Sequence, residues 1–452
     1  MRTKHQPEQH RRAKQSPAGS HRPAPTGGDQ TSLEELRSRE LIANCSNESQ
    51  LRRALASGPK VLYCGFDPTA ESLHIGNLLQ LITLRRFQQA GHIPIVLIGG
   101  ATGLVGDPSG KRQERSLEGT DTVAHRADGI RNQIESLLDP AAHTIVVNNM
   151  DWLGELDTIS FLRDTGKHFS ISAMLAKDSV RSRLATGLSY TEFSYSLLQA
   201  LDFLELRRRH GCILQIGGSD QWGNITAGID FVRRVDDATV FGLTLPLLTN
   251  TDGTKLGKTE HGTIWLDANL TPPFVLYQWL LNTSDAEVTR LLHALTFLPL
   301  AAITDLQGEL ATHPERRLPQ RTLAQKVTRI VHGESGVAQA ERITDALFGG
   351  ALGELEEPEL AQLAAGMPTV SASHETLRTW TLADLVVAAG LAPSKATARH
   401  LCAAGAIHIF DERILDPLAT DLDARLRCGR FLIVRRGIKQ HGVVVAGRPC
   451  DA

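Results

Sequence analysis

Short apolar runs alternate with amphipathic stretches along the first half of the chain. The run 60–66 ends in a turn of Gly, Asp, Pro and Thr and predicts a strand, and the run 93–98 predicts a second strand. Between them, residues 73–90 predict a helix with Ser72 as its N-cap and Gly91 after its end. A strand, a helix and a strand with short joints predict a parallel sheet with a right-handed crossover.

The pattern continues and then changes towards the C-terminus. Further strands are predicted at 144–148, 212–216 and 239–243, with a helix at 191–209. After Thr259 the strand signals fade, and helices are predicted at 273–282, 284–297 and 318–349. The acidic stretch 354–359 contains Pro358 and predicts a linker. Beyond it, two short helices at 382–389 and 395–404 precede β-like runs that reach Val445.

The predicted fold class is α/β. A Rossmann-like, doubly wound parallel sheet is followed by a helical domain and a small α+β domain. The predicted boundaries are 1–32 for a basic tail, 33–261 for the sheet domain, 262–350 for the helical domain, 351–377 for the linker and 378–452 for the last domain.

The first 30 residues are predicted to be a disordered tail. They hold six Lys or Arg, two acidic residues, four prolines and almost no large apolar side chain. Such a segment buries too little surface to offset the entropy of ordering it. A secretory signal would need an apolar core, and a transit peptide would need an amphipathic helix that the prolines oppose.

Composition narrows the class of protein. The 452 residues are 41% hydrophobic and 22% charged with a net charge of −2, so any nucleic-acid surface must be a local patch. The longest apolar runs are far shorter than the ~18 residues of a membrane span, so no membrane segment is expected. Six scattered cysteines argue against a disulfide framework or a zinc site and favour a reducing, cytoplasmic location.

The first candidate site lies between the first strand and its helix. His74 and Asn77 are three residues apart and share a face of the first helical turn, with Gly76 between them. A helix start favours anionic oxygens, so this segment suits a nucleotide triphosphate. Taken alone, an ordinary helix start is equally consistent with it.

A second candidate is the loop 253–259, which follows the last predicted strand. Its Lys255 and Lys258 stand among glycines and suit a clamp on phosphate charge, although the spacing does not match a Walker A loop. A solvated turn is an equally good interpretation of this loop alone.

The third candidate is a polar stripe on the predicted helix 191–209. Tyr195, Gln199 and Asp202 occupy positions i, i+4 and i+7, among leucines and phenylalanine. Buried polar groups need partners, which are either each other or a small polar ligand, and we favour the ligand. The fourth candidate, 217–224, follows a strand and offers Asp220 and Gln221 where ligands of such sheets collect, or is only a tight turn.

Together and in this order, these segments resemble one family. His74-Ile75-Gly76-Asn77 is similar to the HIGH signature, and 255–259 is similar to the KMSKS-type loop. The strings 63–69, 99–111 and 217–224 complete the resemblance, which runs from about residue 33 to 445. The sequence resembles a bacterial-type tyrosyl-tRNA synthetase, a class I aminoacyl-tRNA synthetase. Asn77 replaces the usual second His, and Leu256 replaces an aromatic residue or Met.

The resemblance implies site residues, ATP as a substrate and Mg²⁺ with ATP or pyrophosphate, without a metal site of the protein's own. For the tyrosine it implies Tyr63, Asp107, Tyr195, Gln199, Asp202 and Gln221. For ATP it implies Gly65, Asp67, Thr69, His74, Gly76, Asp220 and Lys258. The implied catalytic set is His74, Asn77, Thr69, Lys111, Arg115, Lys255 and Lys258.

The resemblance also implies partners. These are tRNA(Tyr) and a second copy of the chain in a homodimer. Candidate RNA contacts are Arg316 and Arg317 in the helical domain, and Lys395, Arg399, Arg435 and Arg436 in an S4-like last domain. From residue 382 there are 10 Lys or Arg against 7 Asp or Glu, so a solvated surface stays open for each of them.

The leading hypothesis is a tyrosine–tRNA ligase that forms tyrosyl-adenylate and pyrophosphate, then esterifies the 3′-terminal adenosine of tRNA. The alternative is a non-catalytic RNA-binding paralogue on the same scaffold, which Asn77 and Leu256 favour. A third hypothesis is activation of another acid, such as a modified tyrosine or tryptophan, and Tyr63 and Asp202 argue against tryptophan.

Overall fold

The computed structural model describes most of the chain after the tail. The described residues are 32–109, 118–177, 180–181, 183, 187–249, 254, 256–259, 262–437 and 440–447, with only the backbone of Lys258 and Thr259. Within them, no helix is both long enough and apolar enough to cross a membrane.

A central sheet organises the N-terminal part of the described chain. Its strands are β1 Asn44–Cys45, β2 Val61–Phe66, β3 Ile93–Ile98, β4 Ile145–Asn148, β5 Leu214–Gly218 and β6 Phe241–Leu245. They lie in the order β1-β6-β5-β2-β3-β4, parallel except for β1, which runs antiparallel to β6. The predicted parallel sheet is confirmed, and the chain order reverses between β2 and β5, where such sheets hold ligands at their carboxyl ends.

Helices cover both faces of this sheet. They are α1 Ser32–Ser38, α2 Glu48–Ala56, α3 Ile75–Gln89, α4 Thr102–Val105, α5 Thr120–Leu137, α6 Met150–Leu153, α7 Thr158–Ser160, α8 Ile171–Leu175, α9 Tyr190–His210 and α10 Trp222–Asp236. Alternation along β2 divides the core, because successive strand residues face opposite sides. Leu62 and Cys64 pack in the cluster that contains α3, whereas Tyr63 packs with Phe203 of α9.

The start of α3 differs from its prediction. The helix begins at Ile75 after His74 as N-cap, not at Leu73 after Ser72. The hydroxyl of Ser72 instead bonds to Leu73 and to groups from two distant segments. Those tertiary partners are invisible to a rule that reads only local sequence.

A helical region follows the sheet. It consists of the short hairpin β7 Lys258–Thr259 and β8 Gly262–Thr263, then α11 Pro273–Leu281, α12 Asp285–Leu295, α13 Leu300–Thr312 and α14 Leu318–Gly349. Helix α13 is not among the helices predicted from the sequence. Gly333 interrupts α14 with non-helical dihedral angles (φ 71°, ψ −173°), which glycine adopts readily.

The predicted linker contains regular structure. Helix α15 spans Glu357–Gly366, and β9 (Thr369–Ser373) joins the C-terminal sheet. In the stretch 354–359, Pro358 lies in the first turn of α15, where its missing N–H leaves no hydrogen bond unmade, so the proline does not exclude a helix there.

The C-terminal part is an α+β unit. Its helices are α16 His374–Thr379, α17 Leu382–Ala388 and α18 Lys395–Ala403. Its remaining strands are β10 Ile407–Ile409, β11 Glu412–Arg413, β12 Phe431–Arg436 and β13 Gln440–Gly447. Together with β9 they form a sheet in the order β11-β10-β12-β13-β9.

A buried arginine joins α3 to the helical region. Arg86 is 2% exposed and donates to the carbonyl oxygens of Thr296 (2.6 Å) and His293 (3.3 Å) at the end of α12. Its Nε lies 3.3 Å from Oε1 of Glu35. Burial lowers the pKa of Arg86 to about 10, a cost that these carbonyls and the carboxylate offset.

We therefore expect Arg86→Met to lower the free energy of unfolding by about 3 kcal/mol, because it leaves buried carbonyls without donors. The measurement is chemical denaturation. The matched control is Arg53→Met on exposed α2, which should change the value by less than about 0.5 kcal/mol. Equal effects of the two variants would contradict the assignment.

Candidate active site

A cavity of ≈ 430 Å³ opens at the carboxyl ends of β2 and β5, next to the first turn of α3. It gathers every described residue of the predicted tyrosine and ATP sets apart from Lys258. The lining residues from those sets are Tyr63, Gly65, Asp67, Thr69, His74, Gly76, Asp107, Tyr195, Gln199, Asp202, Asp220 and Gln221, and Asn77 of the catalytic set lines the cavity too. Residues from all four candidate segments, each a weak signal when taken alone, thus line this one cavity.

A buried carboxyl group closes one end of the cavity. Asp202 is 2% exposed and accepts hydrogen bonds from Nδ2 of Asn149 (3.1 Å) and Nε1 of Trp152 (2.8 Å). Burial raises the pKa of Asp202 to about 7, against the opposing effect of these two donors. Arg209 packs over the Trp152 ring at 5.2 Å and helps to fix the indole.

Three buried polar atoms beside Asp202 lack hydrogen-bond partners among the described residues. They are the hydroxyl of Tyr63, Oε1 of Gln199 and Oε1 of Gln215. Tyr63 and Gln215 are direct neighbours in β2 and β5, so their side chains share one face of the sheet. Buried polar groups in folded proteins are almost always hydrogen-bonded. These three atoms line the cavity and are therefore available to a polar ligand.

Acidic side chains form the middle of the cavity. Asp67 accepts from the hydroxyls of Tyr195 (2.7 Å) and Thr102 (2.8 Å), which links a predicted ATP residue to a predicted tyrosine residue. Asp107 accepts from Nε2 of Gln221 (2.6 Å). Burial and the charges of Asp67 and Asp107 raise the pKa of Tyr195 well above its usual value. A cationic group of a ligand is favoured at this position.

The helix start forms the other end of the cavity. The backbone N–H of His74 donates to Oδ1 of Asn77 (3.1 Å), so this amide oxygen is used inside the protein. A Cβ on Gly76 would approach the His74 ring to within 2.8 Å. Glycine therefore makes room for the imidazole.

Backbone pairing joins the lysine-rich loop to this helix start. Ile75 N–H donates to the carbonyl of Ile264 (3.0 Å), and Leu266 N–H donates to the carbonyl of Leu73 (2.8 Å). Gly257 has a φ of +82°, and a Cβ there would overlap Cγ2 of Ile75. Leu256, the departure from the family's loop, is 6% exposed in the core. The segments around 74 and 257 thus form one packed joint.

Part of the predicted catalytic set lies outside the described residues. These are Lys111, Arg115 and Lys255. For Lys258, the described backbone forms β7 and pairs with Thr263.

Several predicted RNA contacts have protein partners. Arg317 donates to the carbonyls of Leu281 (2.8 Å) and Thr283 (3.1 Å), and so closes the end of α11. Arg316 is paired with Glu309 at 2.8 Å, and Lys395 with Asp384 at 2.5 Å. Arg435 is half-buried near Asp411, Arg436 donates to Leu391 O, and Arg399 is exposed on α18.

Sequence reasoning missed side chains that come from other elements. Asn149 and Trp152 contact Asp202, Thr102 contacts Asp67, and Gln215 and Trp265 line the cavity. The unusual polar Gln215 inside an apolar strand was the one local signal available.

Comparisons with known proteins agree over nearly the whole chain. The family model "tRNA synthetases class I (W and Y)" matches residues 56–349, and "Tyrosine--tRNA ligase SYY-like C-terminal domain" matches residues 359–444. The tyrosine–tRNA ligase of Geobacillus kaustophilus is 50% identical over 417 residues, which cover 91% of this chain and 99% of that protein. The tyrosine–tRNA ligase of Dechloromonas aromatica is 48% identical, covering 91% and 98%.

Solved structures give the same fold. A C-terminally truncated mitochondrial tyrosyl-tRNA synthetase of Aspergillus nidulans matches with a TM-score of 0.65 and 30% identity, covering 71% of this chain and 95% of that one. The tyrosyl-tRNA synthetase of Archaeoglobus fulgidus, solved with L-tyrosine, matches with a TM-score of 0.54 and 17% identity, covering 68% and 99%, which speaks for the fold alone.

The raised pKa of Asp202 predicts a pH-dependent loss of stability without ligand. Its folded pKa of about 7 exceeds the ~3.9 of an unfolded Asp, so the penalty is absent below about pH 4 and complete above about pH 7. When the pH is raised from 5 to 8, the unsubstituted protein should therefore lose about 2–3 kcal/mol of its free energy of unfolding. Asp202→Asn should not show this loss. Denaturation at both pH values measures this, and a pH-independent difference would contradict the shift.

Proposed function

Because the chain belongs to the tyrosine–tRNA ligase family of class I tRNA synthetases, we propose that it activates tyrosine with ATP and transfers it to tRNA(Tyr). The observation that carries this proposal is the buried Asp202 carboxyl group beside the unpartnered Tyr63 hydroxyl, in the same cavity as the start of α3.

The closed end of the cavity suits a phenol. A tyrosine hydroxyl would donate to Asp202 and accept from Tyr63, which supplies the partner that the Tyr63 hydroxyl lacks. Phenylalanine would fill the same space, leave the Tyr63 hydroxyl unpaired at a cost of about 1–3 kcal/mol, and give the buried Asp202 carboxyl group no third donor. The acidic middle of the cavity, with Asp107, Tyr195 and Gln199, would receive the ammonium group of the amino acid.

The helix start suits the phosphates. The His74 imidazole and the Asn77 amide nitrogen would donate to phosphate oxygens, and the helix dipole adds to the attraction. Asn77 keeps a donor, since its hydrogen bond to His74 uses only the amide oxygen. The lysines of the loop 255–259 would brace the leaving pyrophosphate.

The chemistry then needs positioning more than proton transfer. The tyrosine carboxylate is already anionic at pH 7, so its attack on the α-phosphorus needs no general base. Catalysis would come from aligned reactants and from donors aimed at the developing phosphate charge. The 2′-hydroxyl of the terminal adenosine of tRNA would next attack the activated carbonyl and release AMP.

Mg²⁺ would enter with ATP. The described carboxylates Asp67, Asp107 and Asp202 are each bonded to protein donors, and no group of three or more His, Cys, Asp or Glu among the described residues is arranged to hold a metal. A cation coordinated by phosphate oxygens fits this arrangement better than one in a protein cage.

A homodimer is part of the proposal. Large apolar side chains are exposed in one stretch between α7 and α9: Ile159 (68%), Leu162 (47%), Ile171 (68%), Leu175 (38%) and Tyr190 (68%). Contiguous exposed apolar patches mark interaction sites, and we propose that these residues form one. A cytoplasmic location is also proposed, since the described cysteines are free thiols.

The first test is tyrosine-dependent exchange of pyrophosphate into ATP. The protein should exchange with tyrosine and prefer it to phenylalanine by at least about 100-fold in kcat/KM, because phenylalanine leaves the Tyr63 hydroxyl unpaired and gives Asp202 no third donor. Asp202→Asn should lose most of this preference, while the exposed Asp230→Asn should keep it. A well-folded sample that binds tRNA without exchange would instead favour a non-catalytic paralogue.

The second test concerns the dimer. Ile159→Glu combined with Ile171→Glu should shift the protein from dimer to monomer in sedimentation velocity, because charges replace apolar contacts. The control is Leu415→Glu, which alters an equally apolar exposed side chain far along the chain. A monomeric unsubstituted protein, or a double variant that stays dimeric, would refute the proposed surface.

A further inference from the structure

Two side chains hold the segment before α3 and have no part in the mechanism above. Gln133 of α5 accepts from Leu73 N–H at Oε1 (2.8 Å) and donates from Nε2 to Oγ of Ser72 (3.0 Å). Ser72 Oγ donates to the Leu73 carbonyl (2.7 Å) and accepts from the backbone N–H of Asp267 (3.2 Å). We refer to these two side chains as the Ser72–Gln133 cluster.

The hydroxyl of Ser72 has no bonding capacity left. A serine hydroxyl offers one proton and two lone pairs, and here Leu73, Gln133 and Asp267 use all three. The residue is 4% exposed, so water does not compete for these positions. Its position is therefore determined by three separate parts of the chain, which is more than a helix cap requires.

The cluster lies where the phosphate-facing segments meet. Residues 73–75 include His74 and lead directly to Asn77. On their other side they pair with 264–266, which continue from the hairpin that contains Lys258. Gln133 belongs to α5. The helix start and the segment that contains Asp267 thus share one anchor on this helix.

We infer that Ser72 and Gln133 are positioning residues for adenylate formation, which set the helix start at His74 against the segment 264–267. The inference rests on the proposed function. Phosphoryl and nucleotidyl transfer depend on donors that are held in register before the reaction. Loosening the cluster would misplace those donors without touching the tyrosine end of the cavity, which is built by β2, β5 and α9.

Kinetics of pyrophosphate exchange test this division. Gln133→Met keeps the side-chain length and removes both hydrogen bonds, so kcat should fall at least about tenfold while KM for tyrosine stays within about twofold. Ser72→Ala should behave in the same way, and Ser72→Thr, which keeps a hydroxyl, should restore most of kcat. The control Asn132→Ala changes the exposed neighbour on α5 and should have no effect.

The double variant shows whether the two residues act as one unit. Ser72→Ala with Gln133→Met should cost about as much in kcat as the more harmful single change, because each change alone already breaks the shared contacts. Fully multiplicative losses, or an unchanged kcat in an active protein, would overturn the inference.

Hydrogen–deuterium exchange tests the anchor without relying on activity. In Gln133→Met, amide exchange should accelerate at least about tenfold in both 72–76 and 264–267, and should stay unchanged in α9. Unaltered protection at 264–267 would overturn the inference. If Gln133→Met shows this exchange response but the wild-type protein has no tyrosine-dependent activity, the proposed function is contradicted and the anchor stays supported.

Discussion

A carboxyl group with neutral partners, sealed from water, sets the requirements for the rest of the site. Asp202 receives its hydrogen bonds from the amide of Asn149 and the indole of Trp152, and neither carries a charge. The low dielectric of this environment makes the carboxylate costly without a ligand, as its pKa of about 7 shows. The same environment makes one further donor valuable, and the phenol hydroxyl of the proposed substrate would supply it. Selectivity for that substrate and the loss of stability without it would therefore have the same origin.

The parallel sheet places this carboxyl group and the start of α3 at opposite ends of one cleft. Chain order reverses between β2 and β5, so the loops leaving these strands separate and open a crevice. Residues of β2 serve both purposes in turn: Tyr63 faces α9 and the acid, while the chain beyond Phe66 leads to Asp67 and the start of α3. Few connecting residues are needed, so the distance between the two ends is fixed by the sheet.

How far the sequence predicts the site depends on whether its parts are local. The stripe of Tyr195, Gln199 and Asp202 follows from helical spacing within one element, and all three line the cavity. The parallel sheet follows from strand and helix runs in the same way. Asn149 and Trp152 could not be predicted, because their contact with Asp202 joins residues about 50 positions apart.

The N-cap predicted at Ser72 and the helix found at Pro358 also depend on features that local sequence rules do not include. Ser72 is a good N-cap by local rules, but Gln133 and Asp267 compete for its hydroxyl and the cap passes to His74. Pro358 is a helix breaker in most positions and is tolerated in the first turn, so its effect depends on where the helix begins.

A reaction that needs no general base puts its demands on the backbone around the ligand. When the nucleophile is already ionised, rate depends on how well the donors and reactants are aligned, and small displacements are costly. Single side chains on flexible loops cannot supply such alignment alone. The pairing of 73–75 with 264–266 and the glycine at 257 supply it through packed backbone, which has few alternative arrangements. Residues that never touch a substrate can therefore control the chemical step as strongly as those that do.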